Sequence, residues 1–303
     1  MSSTRRKVWV AVAVSLVAAV ACAGPAQPTD SPFAPQPVTT IGPLVVASPT
    51  AAESQRPGLA PTATGIWRPD QATSWQWQLN GRPIDTSFDV DMYDIDLFDN
   101  SAEVVAALHR QGRKVVCYVD MGGWEEWRPD ADLFPAALLG EPLDDWEGER
   151  WLDIRGLEGL APVLLARMDM CADKGFDALE PDNIDGYLND TGFPLTYQDQ
   201  LTFNIWLADQ AHRRGLSIGL KNDMDQIADL LEHFDWALNE QCFFFDECET
   251  LLPFIEAGKA VFNVEYKLAA DEFCDRAVEM GFMSLKKDLK LGPRREACQQ
   301  AEK

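Results

Sequence analysis

Carboxylate side chains cluster in one short stretch of this sequence, residues 178–190, which reads ALEPDNIDGYLND. Glu180, Asp182 and Asp185 follow an apolar pair and lie within six positions of one another. An acidic loop that faces water is one interpretation of such a cluster. The other is a catalytic site, because Glu240, in NEQC, ends another apolar run, and two carboxylates at one site can divide proton transfer and nucleophilic attack between them.

The same pattern recurs along the chain, where short apolar runs end in acids, amides, lysines or aromatic residues. Turns needed only for structure would favour Gly, Asn or Ser at these positions. Packing, strand capping and pairing with lysine are the structural alternatives for each of them. The strand-end candidates for substrate binding are Trp77, Tyr93, Asp94, Asp120, Glu180, Lys221, Asn222, Glu265 and Tyr266, and the loop candidates are Trp124, Trp127 and Tyr187.

Eight apolar runs predict the strands that must position these side chains. They cover residues 74–79, 89–96, 114–120, 176–182, 216–222, 235–241, 260–266 and 282–288. Helical stretches separate them, and those at 101–112, 160–175 and 197–215 each close at a glycine. Eight buried strands alternating with helices predict an α/β fold, a (β/α)8 TIM-type barrel, whose strand ends converge at one mouth. The long third connection, 121–176, is expected to border a cleft.

Other chemistries have little support in the sequence. The three histidines form no HxH or HExxH pattern, no cysteine spacing is a CxxC pair, and neither a GxGxxG, a Walker nor a GxSxG motif is present. We therefore expect no metal and no cofactor. The formal net charge of −23 disfavours a nucleic acid partner and suits a cationic or neutral ligand, although the charge equally suits the solubility of an exported protein. Carboxylates combined with aromatic residues and amides, without a histidine base, are typical of a glycosidase.

The N-terminus predicts export. Arg5, Arg6 and Lys7 precede an uncharged run, 8–21, that is too short to span a bilayer comfortably. The small residues before Cys22 resemble a bacterial lipoprotein box, so residues 1–22 are expected to be a signal segment with Cys22 as the lipidated residue, or else a simple secretion signal. Residues 23–63 are rich in Pro, Thr and Ala and predict a linker, which leaves 64–303 as the folded domain.

Six cysteines remain after Cys22, and disulfides are the default for an exported chain. Cys242 and Cys248 would close a short loop, and Cys274 could reach Cys298. Cys117 would then pair with Cys171 by elimination, which is one of the fifteen connectivities that six cysteines allow.

Nine motifs occur in the order seen in glycoside hydrolase family 114, and together they carry a resemblance over residues 65–298. They are WQWQL, YDID, VVCY, GGWEEWRPDADLFP, ERWLDIR, GFDALEPDNIDGY, GLKND, NEQC and VFNVEY. The resemblance implies a (β/α)8-barrel endo-α-1,4-polygalactosaminidase that cleaves cationic or partly N-acetylated galactosamine polymers of exopolysaccharide. One departure is Asp120, which stands at a strand end where the family often has Ser or another small residue.

The resemblance implies that Asp182 and Glu240 are the catalytic pair. We expect Asp182 to be the nucleophile of a retaining reaction and Glu240 the general acid and base. Two alternatives stay open: a non-catalytic carbohydrate-binding barrel at the cell surface, and a hydrolase of another α-linked glycan. A secreted or surface-anchored monomer is expected, with membrane contact only through a lipid on Cys22.

Overall fold

The computed structural model describes residues 65–144 and 146–298, all within the unit Ala60–Lys303. The predicted signal segment, lipidated Cys22 and linker lie outside these residues. Within them, no helix has the length and apolar character needed to cross a membrane.

Eight parallel strands form the centre of the fold, and each corresponds to one of the eight predicted runs. In spatial order they are β1 (Trp75–Gln78), β2 (Met92–Asp96), β3 (Lys114–Asp120), β7 (Ala178–Asp182), β8 (Ser217–Lys221), β9 (Trp236–Glu240), β10 (Val261–Glu265) and β11 (Met283–Lys286). A ninth strand, β12 (Glu296–Ala297), pairs antiparallel with β11. The result is an α/β fold whose curled sheet is consistent with a TIM-like barrel.

The first and last parallel strands meet through side chains and a loop. The indole Nε1 of Trp75 donates a hydrogen bond to the carbonyl of Met283 at 2.8 Å. The amide of Leu79 donates to the carbonyl of Leu291 at 3.0 Å. These contacts bring the two edges of the curled sheet together.

Helices follow most of the strands. They are α1 (Ala102–Arg110), α2 (Leu157–Lys174), α3 (Tyr197–Arg213), α4 (Ile227–Leu230), α5 (Cys242–Phe245), α6 (Leu252–Glu256) and α7 (Ala270–Glu279). The three predicted helices are α1, α2 and α3. Gly175, which ends α2, has φ 87°, a left-handed conformation that glycine adopts without steric cost. The connection from β1 to β2 contains no helix, so strict alternation fails there.

The long third connection contains a small antiparallel sheet. Its strands are β4 (Gly123–Glu125), β5 (Leu139–Pro142) and β6 (Glu149–Leu152), in the order β4, β6, β5. The sequence predicted a long loop at this place but not the strands within it. Its position directly after β3 puts this three-stranded sheet at the carboxyl ends of the parallel strands.

Two apolar clusters show which way each strand side chain points. The larger cluster lies between sheet and helices and contains Tyr93, Cys117 and Leu179. The smaller cluster contains Trp77, Met92 and Val116, together with other residues from the opposite faces of the strands. Because strand side chains alternate, Glu180 and Asp182 share the inner face with Ala178, while Leu179 faces the helices. The inner layer therefore supports the side chains at the strand ends.

Three disulfides stabilise the outer layer, and all three predicted pairings are confirmed. Cys117 of β3 is bonded to Cys171 of α2, and Cys242 is bonded to Cys248 six residues later. Cys274 of α7 is bonded to Cys298, which follows β12. The Cys117–Cys171 bond therefore joins the sheet to the helical layer, whereas the Cys242–Cys248 bond joins α5 to the short 3-10 helix Cys248–Leu251.

Candidate active site

The carboxyl ends of three adjacent strands bring Asp182, Lys221 and Glu240 together. Each is the last residue of its strand, on β7, β8 and β9 respectively. Glu180 lies two residues before Asp182 on the same face of β7. Parallel strands in this order place the lysine between the two acids.

Lys221 is the central cation of the site, and its side chain is only 2% exposed. Its Nζ lies 2.9 Å from Glu180 Oε1, 2.8 Å from Asp182 Oδ1 and 3.4 Å from Glu240 Oε2. Burial alone would lower the pKa of Lys221, but Asp182, Glu180 and Glu240 raise it well above the ordinary value. The ammonium is therefore charged, and it rests 4.9 Å from the centre of the Trp77 ring.

Asp182 is held as a carboxylate by three donors. Lys221 Nζ and the amide of Asn183, at 2.9 Å, donate to Oδ1, and the hydroxyl of Tyr118 donates to Oδ2 at 2.7 Å. Burial opposes ionisation, but the charge and hydrogen bond of Lys221 outweigh it, so the pKa of Asp182 is lowered. An ionised, positioned oxygen is what a nucleophile or general base requires.

Glu240 faces the same lysine and is fixed by two neighbours. Asn222 donates from Nδ2 to Oε2 at 3.2 Å and accepts from the Glu240 amide at 3.0 Å. The hydroxyl of Tyr266 donates to Oε1 at 2.5 Å. A quarter of the Glu240 side chain is exposed, so it can meet a substrate.

Backbone conformation at the strand ends explains why asparagines follow two of them. Asn183 and Asn222 both adopt left-handed conformations, with φ 59° and 52°. Asparagine tolerates this region better than most residues. The turn after each strand thus presents an amide that binds a neighbouring carboxylate, Asp120 in one case and Glu240 in the other.

Asp94 lies beneath the site and is fully buried. Its carboxyl group is hydrogen-bonded to Glu180. Burial first, and then the charge of Glu180, raise the pKa of Asp94 well above its usual range, so Asp94 is the protonated partner and donates to Glu180. The predicted sugar contacts of Asp94 and Glu180 are therefore not supported, since both are buried and bound to protein.

Asp120 is also buried, and both of its carboxylate oxygens are bound by groups of the protein. Its Oδ1 accepts from the amide of Gly123 at 2.6 Å, and its Oδ2 accepts from Asn183 Nδ2 at 2.9 Å. A side chain at Gly122 would overlap the Asn183 carbonyl, and one at Gly123 would overlap Asp120 itself. The two glycines and Asp120 therefore join the third connection to the turn that carries Asp182.

Two predicted binding residues point away from the site. Tyr93 is buried in the cluster under the helices and donates its hydroxyl to the carbonyl of Phe88 at 3.0 Å. Glu265 is buried and accepts a hydrogen bond from the amide of Phe243 at 2.9 Å, which anchors α5. Their strand parity places both on the outer face, so neither can reach a sugar at the mouth.

The predicted aromatic platforms differ in exposure. Trp77 is 1% exposed and forms the floor under Lys221, so a sugar ring cannot stack on it. Trp124 is half-buried and donates to the Ala131 carbonyl at 3.0 Å, whereas Trp127 is 54% exposed. Tyr187 is half-buried in an edge-to-face contact with Tyr197. Trp127 thus remains the most accessible of the predicted platforms.

Sequence reasoning missed Tyr118 and Glu149. Tyr118 lies on the inner face of β3, two residues before Asp120, and its hydroxyl binds Asp182. The two-residue period of a strand indicates that Tyr118 and Asp120, in KVVCYVD, lie on the same face. Glu149 lies on β6, where no strand was expected, so its position depends on the three-stranded sheet. Within the described parts of the chain, no group of three or more His, Cys, Asp or Glu residues could hold a metal ion.

Comparisons with known proteins agree with this geometry. The model of glycoside-hydrolase family GH114 matches residues 56–303. The structure of Ega3 from Aspergillus fumigatus, in complex with galactosamine, is 42% identical with a TM-score of 0.74, and the match covers 78% of this chain and 98% of that chain. No curated protein matches at a significant level.

Two more distant structures share the fold. The glycoside hydrolase domain of PelA from Pseudomonas aeruginosa is 13% identical with a TM-score of 0.59, covering 76% of this chain and 99% of that chain. The α-galactosidase of Thermus thermophilus is 11% identical with a TM-score of 0.51, covering 73% and 59%. The extent of the family match and the identity to Ega3 lead to one conclusion: this chain belongs to glycoside hydrolase family GH114.

Proposed function

We propose that this glycoside hydrolase cleaves α-1,4-linked galactosamine within exopolysaccharide chains, using Asp182 and Glu240. The observation that carries the proposal is the lysine bridge, in which Lys221 contacts an ionised Asp182 at 2.8 Å and Glu240 at 3.4 Å. The substrate follows from Ega3, which binds galactosamine and is 42% identical to this chain.

The reaction needs two steps. In the first, Asp182 attacks the anomeric carbon while Glu240, in its acid form, gives its proton to the glycosidic oxygen, so that the leaving chain departs as an alcohol. In the second, Glu240 takes a proton from water, and the water oxygen displaces Asp182 from the anomeric carbon. Glu240 is thereby returned to the acid form, and Asp182 is released as the carboxylate.

The lysine bridge supports retention of configuration. The facing oxygens of Asp182 and Glu240 lie no farther apart than the sum of their distances to Lys221 Nζ. Retaining enzymes keep the two carboxyl groups about 5 to 5.5 Å apart, and inverting enzymes keep them roughly 6.5 to 9.5 Å apart. A shared lysine draws the two groups together, so we propose retention with Asp182 as the nucleophile.

The rest of the proposal concerns location and assembly. We infer that the sheet closes as a (β/α)8 barrel, supported by the contacts of β1 with residues 283–291.

The basic and uncharged N-terminal run and Cys22 support an exported monomer that is anchored by lipid or freely secreted, and residues 23–63 would be its linker.

The test is release of reducing ends from de-N-acetylated α-1,4-galactosamine polymer. Asp182→Asn and Glu240→Gln should each reduce kcat by a factor on the order of 1,000 or more, since each removes one of the two acting groups. Asp190→Asn, at an exposed position in the loop that follows Asp182, is the matched control and should keep full activity.

The outcomes separate the alternatives. Full activity in either catalytic variant would overturn the assignment of the pair. Binding without release of reducing ends by the wild type would indicate a non-catalytic carbohydrate-binding barrel. Hydrolysis of galactans without amines at an equal rate would indicate another α-linked glycan as the substrate.

A further inference from the structure

One carboxylate beside the site, that of Glu149, has no side-chain partner among the residues that the structure describes. Glu149 lies on β6, and its Cα pairs directly with that of Glu125 on β4. Two like charges opposite each other in an antiparallel pair destabilise it. The pairing of Glu149 with Glu125 is therefore unfavourable for the stability of this sheet.

Glu125 is neutralised, and its contacts show which way this face of the sheet points. Arg128 donates from Nε to Glu125 Oε2 at 2.6 Å and from Nη2 to Asp96 Oδ2 at 2.7 Å. Asp96 is the last residue of β2, so Glu125 faces the mouth of the curled sheet. Glu149, directly opposite Glu125, shares that face.

Glu149 has no comparable cation. Across residues 65–144 and 146–298, no side chain forms an ion pair or a hydrogen bond with the Glu149 carboxylate. Arg128, whose positive charge acts on Glu149, is itself paired with Glu125 and Asp96. The amides of Met121 and Gly122, directly before β4, donate to the Asp182 carbonyl at 3.2 and 3.1 Å, which holds the three-stranded sheet beside the nucleophile. Burial first, and then the charges of Glu125 and Asp182, raise the pKa of Glu149 to about 7.

We propose that Glu149 binds the ammonium group of a galactosamine residue in the cleft and thereby selects free amines over N-acetyl groups. An ammonium placed between Glu149 and the neighbouring acids would supply the cation that the protein lacks, through a charge-assisted hydrogen bond. An N-acetyl group is neutral and bulkier, so it would leave the negative charge of Glu149 without a cation. The inference rests on the proposed function and deepens it.

A substitution at Glu149 should weaken substrate binding without lowering the stability of the fold. Glu149→Gln keeps the size of the side chain but removes its charge, so it relieves repulsion with Glu125 and Asp182. The variant should be at least as stable as the wild type towards heat. A residue kept for the fold would instead lose stability when it is changed.

The experiment compares polymers of increasing N-acetyl content. In Glu149→Gln, kcat/KM on the fully de-N-acetylated polymer should fall about tenfold, which corresponds to roughly 1.4 kcal/mol, mainly through KM. The wild-type rate should decline as amines are capped, and the rate of the variant should depend little on acetylation. Glu147→Gln, at an exposed position in the turn that precedes β6, is the control and should behave as wild type.

A binding measurement removes the dependence on turnover. Titration of the wild type should show tighter binding of galactosamine than of N-acetylgalactosamine, and Glu149→Gln should lose that preference. The proposal is overturned if the variant keeps the preference for free amines in both assays. If the wild type releases no reducing ends from any polymer, the proposed function fails, while the binding preference still tests Glu149.

Discussion

At the scale of single residues, the site depends on one buried cation and the acids that surround it. Lys221 contacts Glu180, Asp182 and Glu240, and Glu180 is further hydrogen-bonded to protonated Asp94. Removing one member of a buried charge group leaves the others uncompensated, at a cost of roughly 3 to 5 kcal/mol. The inner face of the strand ends is therefore specialised for keeping Asp182 ionised.

Tyr118 is the residue for which the structure makes the sharpest prediction. Tyr118→Phe removes the hydroxyl that donates to Asp182 Oδ2 and so removes one of the causes that lower the pKa of Asp182. Activity should fall about tenfold, in line with the loss of roughly 1.5 kcal/mol for a hydrogen bond to a charged group. The acidic limb of the pH profile of kcat/KM should move to higher pH.

Tyr93→Phe provides the matched control for that variant. It also loses a tyrosine hydroxyl bond, to the Phe88 carbonyl, but on the outer face of the sheet. It should lose a little stability and leave the pH profile unchanged. An identical shift in both variants would contradict a specific role for Tyr118.

At the scale of elements, α5 connects the catalytic strand end to the outer layer. It begins two residues after Glu240 and is held by the Cys242–Cys248 bond and by Glu265, which accepts from the amide of Phe243. Gln241 enters α5 in a left-handed conformation, with φ 65°. The turn after Glu240 is thus constrained at both ends.

Two disulfide deletions should separate activity from stability. Replacing Cys242 and Cys248 by Ser opens a loop of six residues, so the free energy of unfolding should fall by only roughly 2 kcal/mol or less. The kcat of this variant should also fall, because Glu240 is less well positioned. Replacing Cys274 and Cys298 opens a loop of 24 residues and should cost more stability with kcat retained. Thermal unfolding and initial rates measure both, and the reverse order would contradict a positioning role for α5.

At the scale of the whole molecule, the excess of acids sets the pH dependence of stability. Burial, more than neighbouring charge, raises the pKa of Asp185 to about 6, that of Glu149 to about 7 and that of Asp223 to about 8. A raised carboxyl pKa means that the folded state binds more protons than the unfolded state. These groups therefore favour folding at acidic pH and lose that contribution as the pH rises.

The expected outcome is a melting temperature that falls between pH 5 and pH 8. The loss begins above the ordinary carboxyl pKa values of 3.8 to 4.5 and is complete for each group at its raised value. Lys287, whose pKa burial lowers to about 7, acts in the opposite direction only above that pH. Asp223→Asn should flatten the decline, and a melting temperature that rises from pH 5 to pH 8 would contradict the assignment.

The order of the elements and the main chemistry can be predicted from the amino-acid sequence alone. Eight apolar runs ending in polar residues correspond to eight parallel strands, because buried strands and the polar residues at their ends differ so strongly in hydropathy. Asp182 and Glu240 meet at Lys221 because their strands lie on either side of β8. Two of the disulfide pairings followed from short separations along the chain, and the third followed by elimination.

The face that each residue occupies, and what it contacts, follow from the folded structure alone. Both faces of a central strand are buried, so hydropathy did not reveal that Tyr93 and Glu265 point outward while Tyr118 points inward. The opposition of Glu149 and Glu125 depends on strand register within an unexpected sheet. Protonation, as in Asp94, depends on burial and neighbouring charge, and these arise only when distant segments come together.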